Sequence, residues 1–194
     1  MAQDVIKPLA DGKRLFSVKA IDSAGNAGAS LSIEVWIDTT PPVIGTYTPP
    51  AGSLLNTLKP GMSVTVTDPH SGAGPAEIKL LINGIQSSVS VDEITGLATA
   101  TSTGSVKEGA NSIRVEASDR VGNKQTALVW SFTTDVTPPT GSVLVNAGAA
   151  MTTSVYVTLN LSASDAISGI TGMLLSNDSV TGFVQESFNP VREL

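Results

Sequence analysis

The chain has 194 residues, a length that suits one or two domains, and its 11 basic and 17 acidic side chains give a formal net charge of −6 at pH 7. The acidic balance disfavours nucleic acid and anionic lipid surfaces as partners. The lack of cysteine excludes a disulfide framework and a cysteine nucleophile, and no run approaches the ~20 apolar residues of a membrane span.

The N-terminal segment, MAQDVIKPLADGK, lacks a basic region followed by an apolar run, so it does not have the pattern of a secretory signal peptide. For an exported protein, we expect the signal to lie upstream of this segment. The 18 Gly and 11 Pro, among many Thr, Ser and Val residues, predict short strands joined by tight turns.

Alternation of apolar and polar residues, the period of a half-buried strand, predicts four strands in the middle of the chain, and three shorter strands are expected to complete two sheets, which gives seven. Asn83-Gly84 is a strong signal for a two-residue hairpin at the end of the third strand. In chain order the strands are Val43–Tyr47, MSVTVTD (62–68), EIKLLING (77–84), Gln86–Val91, Leu97–Ser102, SIRVEASD (112–119) and TALVWSFTTD (126–135).

Four pairs of short motifs share one separation of 97 residues, without an insertion. Chance matches of Gly, Pro and Asp motifs would not keep a constant offset, so the sequence predicts an internal repeat. The pairs are DSAGN with DRVGN (119 − 22 = 97), DTTPP with DVTPP (135 − 38 = 97), DPHSG with DAISG (165 − 68 = 97) and Gly12 with Gly109 (109 − 12 = 97).

A unit of 97 residues is close to the ~100 residues of an immunoglobulin-type β-sandwich, and the main predicted strands fit its strands B, C, F and G. We therefore predict an all-β chain of immunoglobulin-like β-sandwich repeats in tandem, one complete and two partial. Residues 1–38 are the C-terminal part of one repeat (strands F and G), residues 39–136 a complete repeat, and residues 137–194 the N-terminal part of a third.

The repeat register predicts which faces are buried. Three apolar residues near the start of the chain, which we expect to face inward, map onto three of the last strand in the complete repeat: Leu31, Ile33 and Val35 onto Leu128, Trp130 and Phe132. Trp36 maps onto Thr133 and is expected to face outward or toward a neighbouring domain.

The motif A-x-D-x-x-G-N, then a short strand, then D-T/V-T-P-P, occurs as AIDSAGN…WIDTTPP and as ASDRVGN…FTTDVTPP. With VTLNLSASDAISGI, it resembles the bacterial Ig-like repeats of giant adhesins and biofilm-associated proteins. The resemblance implies export to the cell surface or the extracellular space, tandem repeats, non-enzymatic action and, in some members, calcium between domains.

We accordingly expect a non-enzymatic structural or spacer segment of a large secreted or cell-surface adhesin-type protein. Its expected partners are neighbouring repeats of the same chain, with a host, matrix or polysaccharide ligand bound through other domains. The alternative is an accessory carbohydrate-binding or spacer module of a secreted polysaccharide-degrading enzyme. Pro-Pro in each linker favours an extended, semi-rigid connection between modules.

Loop aspartates at the repeated landmarks are the predicted metal ligands. In an immunoglobulin topology, the linker and the B–C and F–G loops meet at one end of the sandwich, so Asp38, Asp68 and Asp119 should converge. Asp135 and Asp165 would form the same arrangement at the next junction. Calcium, which takes 6–8 oxygen ligands, would neutralise such carboxylates and stiffen the joint.

Turn chemistry explains the same aspartates without a metal. Asp at the first position and Gly at the fourth are what a type I turn prefers, and both DSAG and DRVG fit this template. The spacing also lacks the dense D-x-D-x-D pattern of an EF-hand loop. The sequence leaves both interpretations open.

No catalytic site is expected. His70 is the only histidine and no G-x-S-x-G motif is present, so we expect a solvated loop histidine that adds, at most, a pH-sensitive charge beside Asp68. Trp36 and Tyr47 are the predicted candidates for an exposed aromatic platform that could contact sugar, although packing at an interface would explain them equally well.

Overall fold

The computed structural model describes residues 8–70, 77–101, 104–176 and 182–194. Within these ranges the fold is all-β, with one short 3-10 turn at Asn146–Gly148. The strands are β1 Gly12–Val18, β2 Leu31–Ile37, β3 Val43–Thr48, β4 Leu54–Leu55, β5 Ser63–Thr67, β6 Ile78–Ile82, β7 Ile85–Ser87, β8 Val89–Asp92, β9 Leu97–Ala100, β10 Gly109–Ala117, β11 Leu128–Thr134, β12 Thr140–Val145, β13 Thr158–Ser164, β14 Gly172–Leu175, β15 Val184–Ser187 and β16 Val191–Glu193.

The chain divides into two compact units. The first contains residues 1–53 and 58–133, and the second contains residues 54–57 and 134–194. The predicted domain boundaries after residues 38 and 136 stay a prediction. Among the described residues, no helix has the length and apolar character that crossing a membrane requires.

Three antiparallel arrangements build the first unit. Strands β1 and β2 form a two-stranded hairpin in which Gly12 pairs with Ile37 and Val18 pairs with Leu31. A four-stranded sheet has the order β3-β5-β9-β8, and a further sheet contains the order β11-β10-β6-β7. All seven predicted strands are present, and the predicted strand Gln86–Val91 is divided into β7 and β8.

The core of the first unit is made by one face of each of its central strands. Burial alternates along β5, β6, β10 and β11, as expected where only every second side chain points inward. Trp130 and Phe132 of β11 are buried, and the Trp130 ring lies 4.3 Å from that of Tyr47 and donates a hydrogen bond to the Pro49 carbonyl oxygen (2.9 Å). Each such buried apolar side chain contributes about 1.5–3 kcal/mol.

The predicted hairpin at Asn83-Gly84 joins β6 to β7. Both residues have positive φ, 52° and 81°, as a two-residue type I′ turn requires. The Asn83 side chain also binds outside its own hairpin, where its Nδ2 donates to Asn111 Oδ1 (2.8 Å) and to the Ser105 carbonyl oxygen (2.7 Å). Its Oδ1 accepts the Ser112 N–H (2.9 Å), so one amide links the turn to β10.

The repeat seen in the sequence recurs in the secondary structure. Strands β2 and β11 begin 128 − 31 = 97 and end 134 − 37 = 97 residues apart, and the same offset relates both ends of β3 and β12 (140 − 43 and 145 − 48). The isolated bridges Ile21↔Ala27 and Ser118↔Lys124 are also 97 residues apart. Equivalent positions therefore adopt equivalent backbone structure.

The prediction that Leu31, Ile33 and Val35 face inward is wrong for the structure of this chain. Leu31 is 71% exposed and Ile33 63% exposed, although their repeat equivalents lie at half-buried or buried positions of β11. The physical reason is that the β1–β2 sheet has no opposing layer over this face in the described part of the chain. Trp36, on the other face, is exposed as predicted.

The second unit has a smaller core. Strands β12, β13 and β16 form one antiparallel sheet in the order β12-β13-β16, and β14 pairs with β15. Leu159 of β13 is buried, whereas Val143, Leu144 and Phe183 remain exposed. The unit therefore buries less apolar surface than the first, and we expect it to contribute less to stability.

Truncation of the core should show where stability resides. We expect Phe132→Ala to lower the free energy of unfolding by about 3–5 kcal/mol, because it leaves a cavity between packed strands. The matched control is Val129→Ala on the exposed face of the same strand, with an expected loss of less than about 1 kcal/mol. Urea unfolding measures both, and equal losses would contradict the assigned faces.

Candidate metal site

The Asp119 carboxylate organises the loop that follows β10. Its Oδ1 accepts three backbone N–H groups at 2.7–3.0 Å, those of Val121, Gly122 and Asn123. Its Oδ2 accepts the side-chain amide of Asn123 at 2.7 Å. Gly122 has a φ of 100°, which favours glycine at this position of the turn. The residue types of D-x-x-G-N therefore each have a local structural role.

Asp22 makes the same turn one repeat earlier. Its carboxylate accepts the Ala24 and Asn26 N–H groups and the Asn26 side-chain amide at 2.8–2.9 Å. The hydrogen bonds from Asn26 are the largest cause of a pKa for Asp22 below its ordinary value. Asp22 is exposed, whereas Asp119 is only 2% exposed.

Asp38 lies directly after β2, in the segment that leads to β3. Its Oδ1 accepts the Thr40 N–H (3.1 Å) and hydroxyl (3.0 Å), and its side chain is only 1% exposed. The Asn123 side-chain amide donates to the backbone carbonyl oxygens of Asp38 (3.2 Å) and Thr40 (3.3 Å). The loop after β10 is thus fastened to the segment that precedes β3.

The structure brings together Asp38, Asp68 and Asp119. One carboxylate oxygen from each lies within 4.8 Å of the other two. The Asp68 Oδ1 accepts the His70 N–H at 2.9 Å, which turns the loop directly after β5. At such separations carboxylates repel one another, and burial of Asp38 and Asp119 strengthens that repulsion.

The donor set of this cluster suits a hard divalent cation. Three carboxylates supply oxygen ligands of the kind that calcium prefers, and the remaining positions of a 6–8-coordinate ion can be filled by carbonyl oxygens and water. Turn geometry alone also accounts for the hydrogen bonds of Asp119. Calcium at the cluster therefore stays a prediction.

Asp135 and Asp165 also lie close together. The Ser168 N–H donates to Asp135 Oδ2 (3.0 Å) and to Asp165 Oδ1 (2.7 Å), so one backbone group bridges both carboxylates. Asp165 Oδ1 also accepts the Gly169 and Ile167 N–H groups, and these backbone hydrogen bonds, that of Gly169 foremost, lower the pKa of Asp165.

Sequence reasoning missed Asp11. The described residues include a further cluster, formed by Asp11, Asp38 and His70, whose ligand atoms lie within 4.8 Å of one another. Asp11 precedes β1, and its carboxylate accepts the Thr39 hydroxyl at 2.9 Å. The equivalent position one repeat later holds Glu108 and not an aspartate, so comparison of the two repeats did not single out Asp11 as a ligand.

The predicted aromatic platform is not formed by both of its candidates. Trp36 is 57% exposed, but Tyr47 is half-buried with its ring packed on Trp130. The Tyr47 ring therefore contributes to the core of the first unit. Of the two candidates, only Trp36 offers an exposed aromatic surface.

The difference in burial between Asp119 and Asp22 leads to a test of the turn chemistry. We expect Asp119→Ala to lower the free energy of unfolding by about 2–4 kcal/mol, because it leaves backbone donors without their charged acceptor. Asp22→Ala removes the same turn contacts at an exposed site and should cost less, since water replaces the carboxylate. Urea unfolding in the presence of a chelator isolates this effect from any metal, and a larger loss for Asp22→Ala would contradict it.

Comparisons with known proteins find low similarity in sequence and in structure. No family model matches the chain, and no curated protein matches it. Among solved structures, it is similar to one described as "Crystal structure of tetra-tandem repeat in extending region of large adhesion protein", with a TM-score of 0.42 and 17% sequence identity. The match covers 96% of this chain and 48% of that chain, so this chain spans about half its length. A TM-score at this level does not establish a shared fold.

Proposed function

We propose that the chain is a non-enzymatic spacer segment of a large secreted or cell-surface adhesin-type protein, in which immunoglobulin-like modules follow one another in series. The observation that carries the proposal is the recurrence of β2, β3 and the D-x-x-G-N turn at one fixed spacing of 97 residues. Modules repeated in series are stabilised by their own cores and by contacts with their neighbours, and such a series suits a spacer role.

The order of the strands supports an immunoglobulin-like sandwich for residues 39–136. Sheets of order β3-β5-β9-β8 and β11-β10-β6-β7 correspond to the A-B-E-D and G-F-C-C′ sheets of that architecture. The inner faces of β5, β6, β10 and β11 supply the apolar residues that such a sandwich buries.

A stiff joint is the second requirement of a spacer, and contacts around the linker support one. Pro41 and Pro42 restrict the backbone before β3, and Pro42 is buried. Asn123 holds the carbonyl groups of Asp38 and Thr40 from the loop after β10. The linker is therefore restrained by hydrogen bonds from the Asn123 side chain and by the fixed φ of its two prolines.

Calcium is proposed as a further brace at this joint. Asp38 belongs to the linker, Asp68 to the loop after β5 and Asp119 to the loop after β10, so an ion bound by all three would tie three separate segments together. Asp135 and Asp165 are the corresponding ligands proposed for the next junction.

Force spectroscopy of the full chain between handles tests the spacer role. A module of 98 residues (136 − 39 + 1) should unfold in one step and release a contour length of about 34 nm, less the end-to-end distance of the folded module, since an extended residue spans ~3.5 Å. Phe132→Ala should lower the unfolding force but keep the increment. Extension curves that lack this contour-length increment from one molecule to the next would contradict a module that unfolds as a unit under force.

Thermal unfolding with and without calcium tests the brace. At a hundredfold excess of calcium over Kd, we expect the midpoint temperature of the wild-type chain to rise by about 5–10 °C. Asp68→Asn should abolish the rise, whereas Asp92→Asn, an exposed aspartate outside the cluster, should keep it. A midpoint that is unchanged by calcium in the wild-type chain would reject the calcium proposal while leaving the force measurement to decide the spacer role.

The alternative, a carbohydrate-binding or spacer module of a polysaccharide-degrading enzyme, is favoured by the exposure of Trp36 alone. Retention of the chain on an insoluble polysaccharide, lost in Trp36→Ala, would support the alternative over a spacer that binds no sugar.

A further inference from the structure

A histidine-containing cluster shares Asp38 with the three-aspartate cluster. Its members come from three places in the chain: Asp11 immediately before β1, Asp38 immediately after β2, and His70 in the loop after β5. Their ligand atoms lie within 4.8 Å of one another.

The position of the His70 ring points to a bound ion. His70 Nδ1 is shielded from solvent and has no hydrogen-bond partner among the described residues, and it lies 4.0 Å from Asp38 Oδ1. This distance is too long for a hydrogen bond. Two metal–ligand bonds of about 2.1 Å at the tetrahedral angle place their ligand atoms about 3.4 Å apart, so a shift of about 0.6 Å would let one divalent ion contact both atoms.

The ligand chemistry selects the class of ion. Calcium takes oxygen ligands, whereas an imidazole nitrogen beside carboxylates suits borderline metals such as zinc. Two carboxylates and one imidazole provide three protein ligands, the number found in open zinc sites, and leave the fourth position for water. The two negative charges of Asp11 and Asp38 balance the charge of the ion.

The repeat register shows that this ligand set is not a general feature of the modules. The positions equivalent to Asp11, Asp38 and His70 in the next repeat hold Glu108, Asp135 and Ile167. Ile167 has no metal ligand atom, so the next junction cannot reproduce the set.

We propose that Asp11, Asp38 and His70 form a site for a zinc-class divalent cation, separate in ligand chemistry from the proposed calcium cluster. A bound ion joins the start of β1 and the end of β2 to the loop after β5, and so clamps the hairpin onto the strands that follow. The metal chemistry of this site does not depend on the proposed spacer function.

The test is isothermal titration of the tag-free full chain with zinc chloride in calcium-free buffer, because Asp38 belongs to both proposed sites. We expect one zinc ion per chain, and binding weakened at least about 10- to 100-fold in His70→Gln and in Asp11→Asn. Asp68→Asn should retain zinc binding while losing the calcium response, which separates this proposal from that of calcium.

Cobalt chloride supplies a second readout through its visible absorption. The wild-type chain should give the intense bands of four-coordinate cobalt, and His70→Gln should lose them. Urea unfolding without metal checks that each variant is folded like the wild type. Zinc binding of equal strength in wild type and His70→Gln, or no zinc binding by the wild type, would overturn the proposal.

Discussion

Burial of one face of each strand between residues 39 and 136 is the constraint on which the remaining structure depends. Only alternate side chains of β5, β6, β10 and β11 reach the core, and this fixes both the register of the strands and the ends from which their loops leave. The loops after β5 and β10 then carry Asp68 and Asp119 to one place. The cluster of carboxylates is therefore a consequence of how the core is packed.

Much of this fold could be predicted because strand alternation and turn chemistry are local signals. The seven strands, the Asn83-Gly84 turn and the inward Trp130 and Phe132 follow from residues adjacent in sequence. The exposure of Leu31 and Ile33 could not be predicted in this way. The repeat register gives the face that a residue would occupy in a complete module. Burial depends in addition on whether a second layer covers that face.

The candidate site divides in the same way. The grouping of Asp38, Asp68 and Asp119 followed from the expected immunoglobulin topology, in which the segment before the first strand and these two loops meet at one end of the module. The proximity of Asp11 to His70 depends on the placement of the β1–β2 hairpin and on the direction of the His70 ring, neither of which leaves a pattern in the sequence. Comparison of repeats, which favours residues that recur, also directs attention away from ligands that occur once.

The Asn83–Asn111 contact has a consequence for which strand can pair beside β6. Asn111 is buried and its amide donates to the Lys107 carbonyl oxygen (2.7 Å), while Arg14, at the equivalent place one repeat earlier, donates its guanidinium to the Ala10 carbonyl oxygen (2.8 Å). The same carbonyl is thus satisfied by side chains of different size. An arginine has no side-chain oxygen to accept from Asn83 Nδ2, so a strand with the sequence of β1 could not complete this contact.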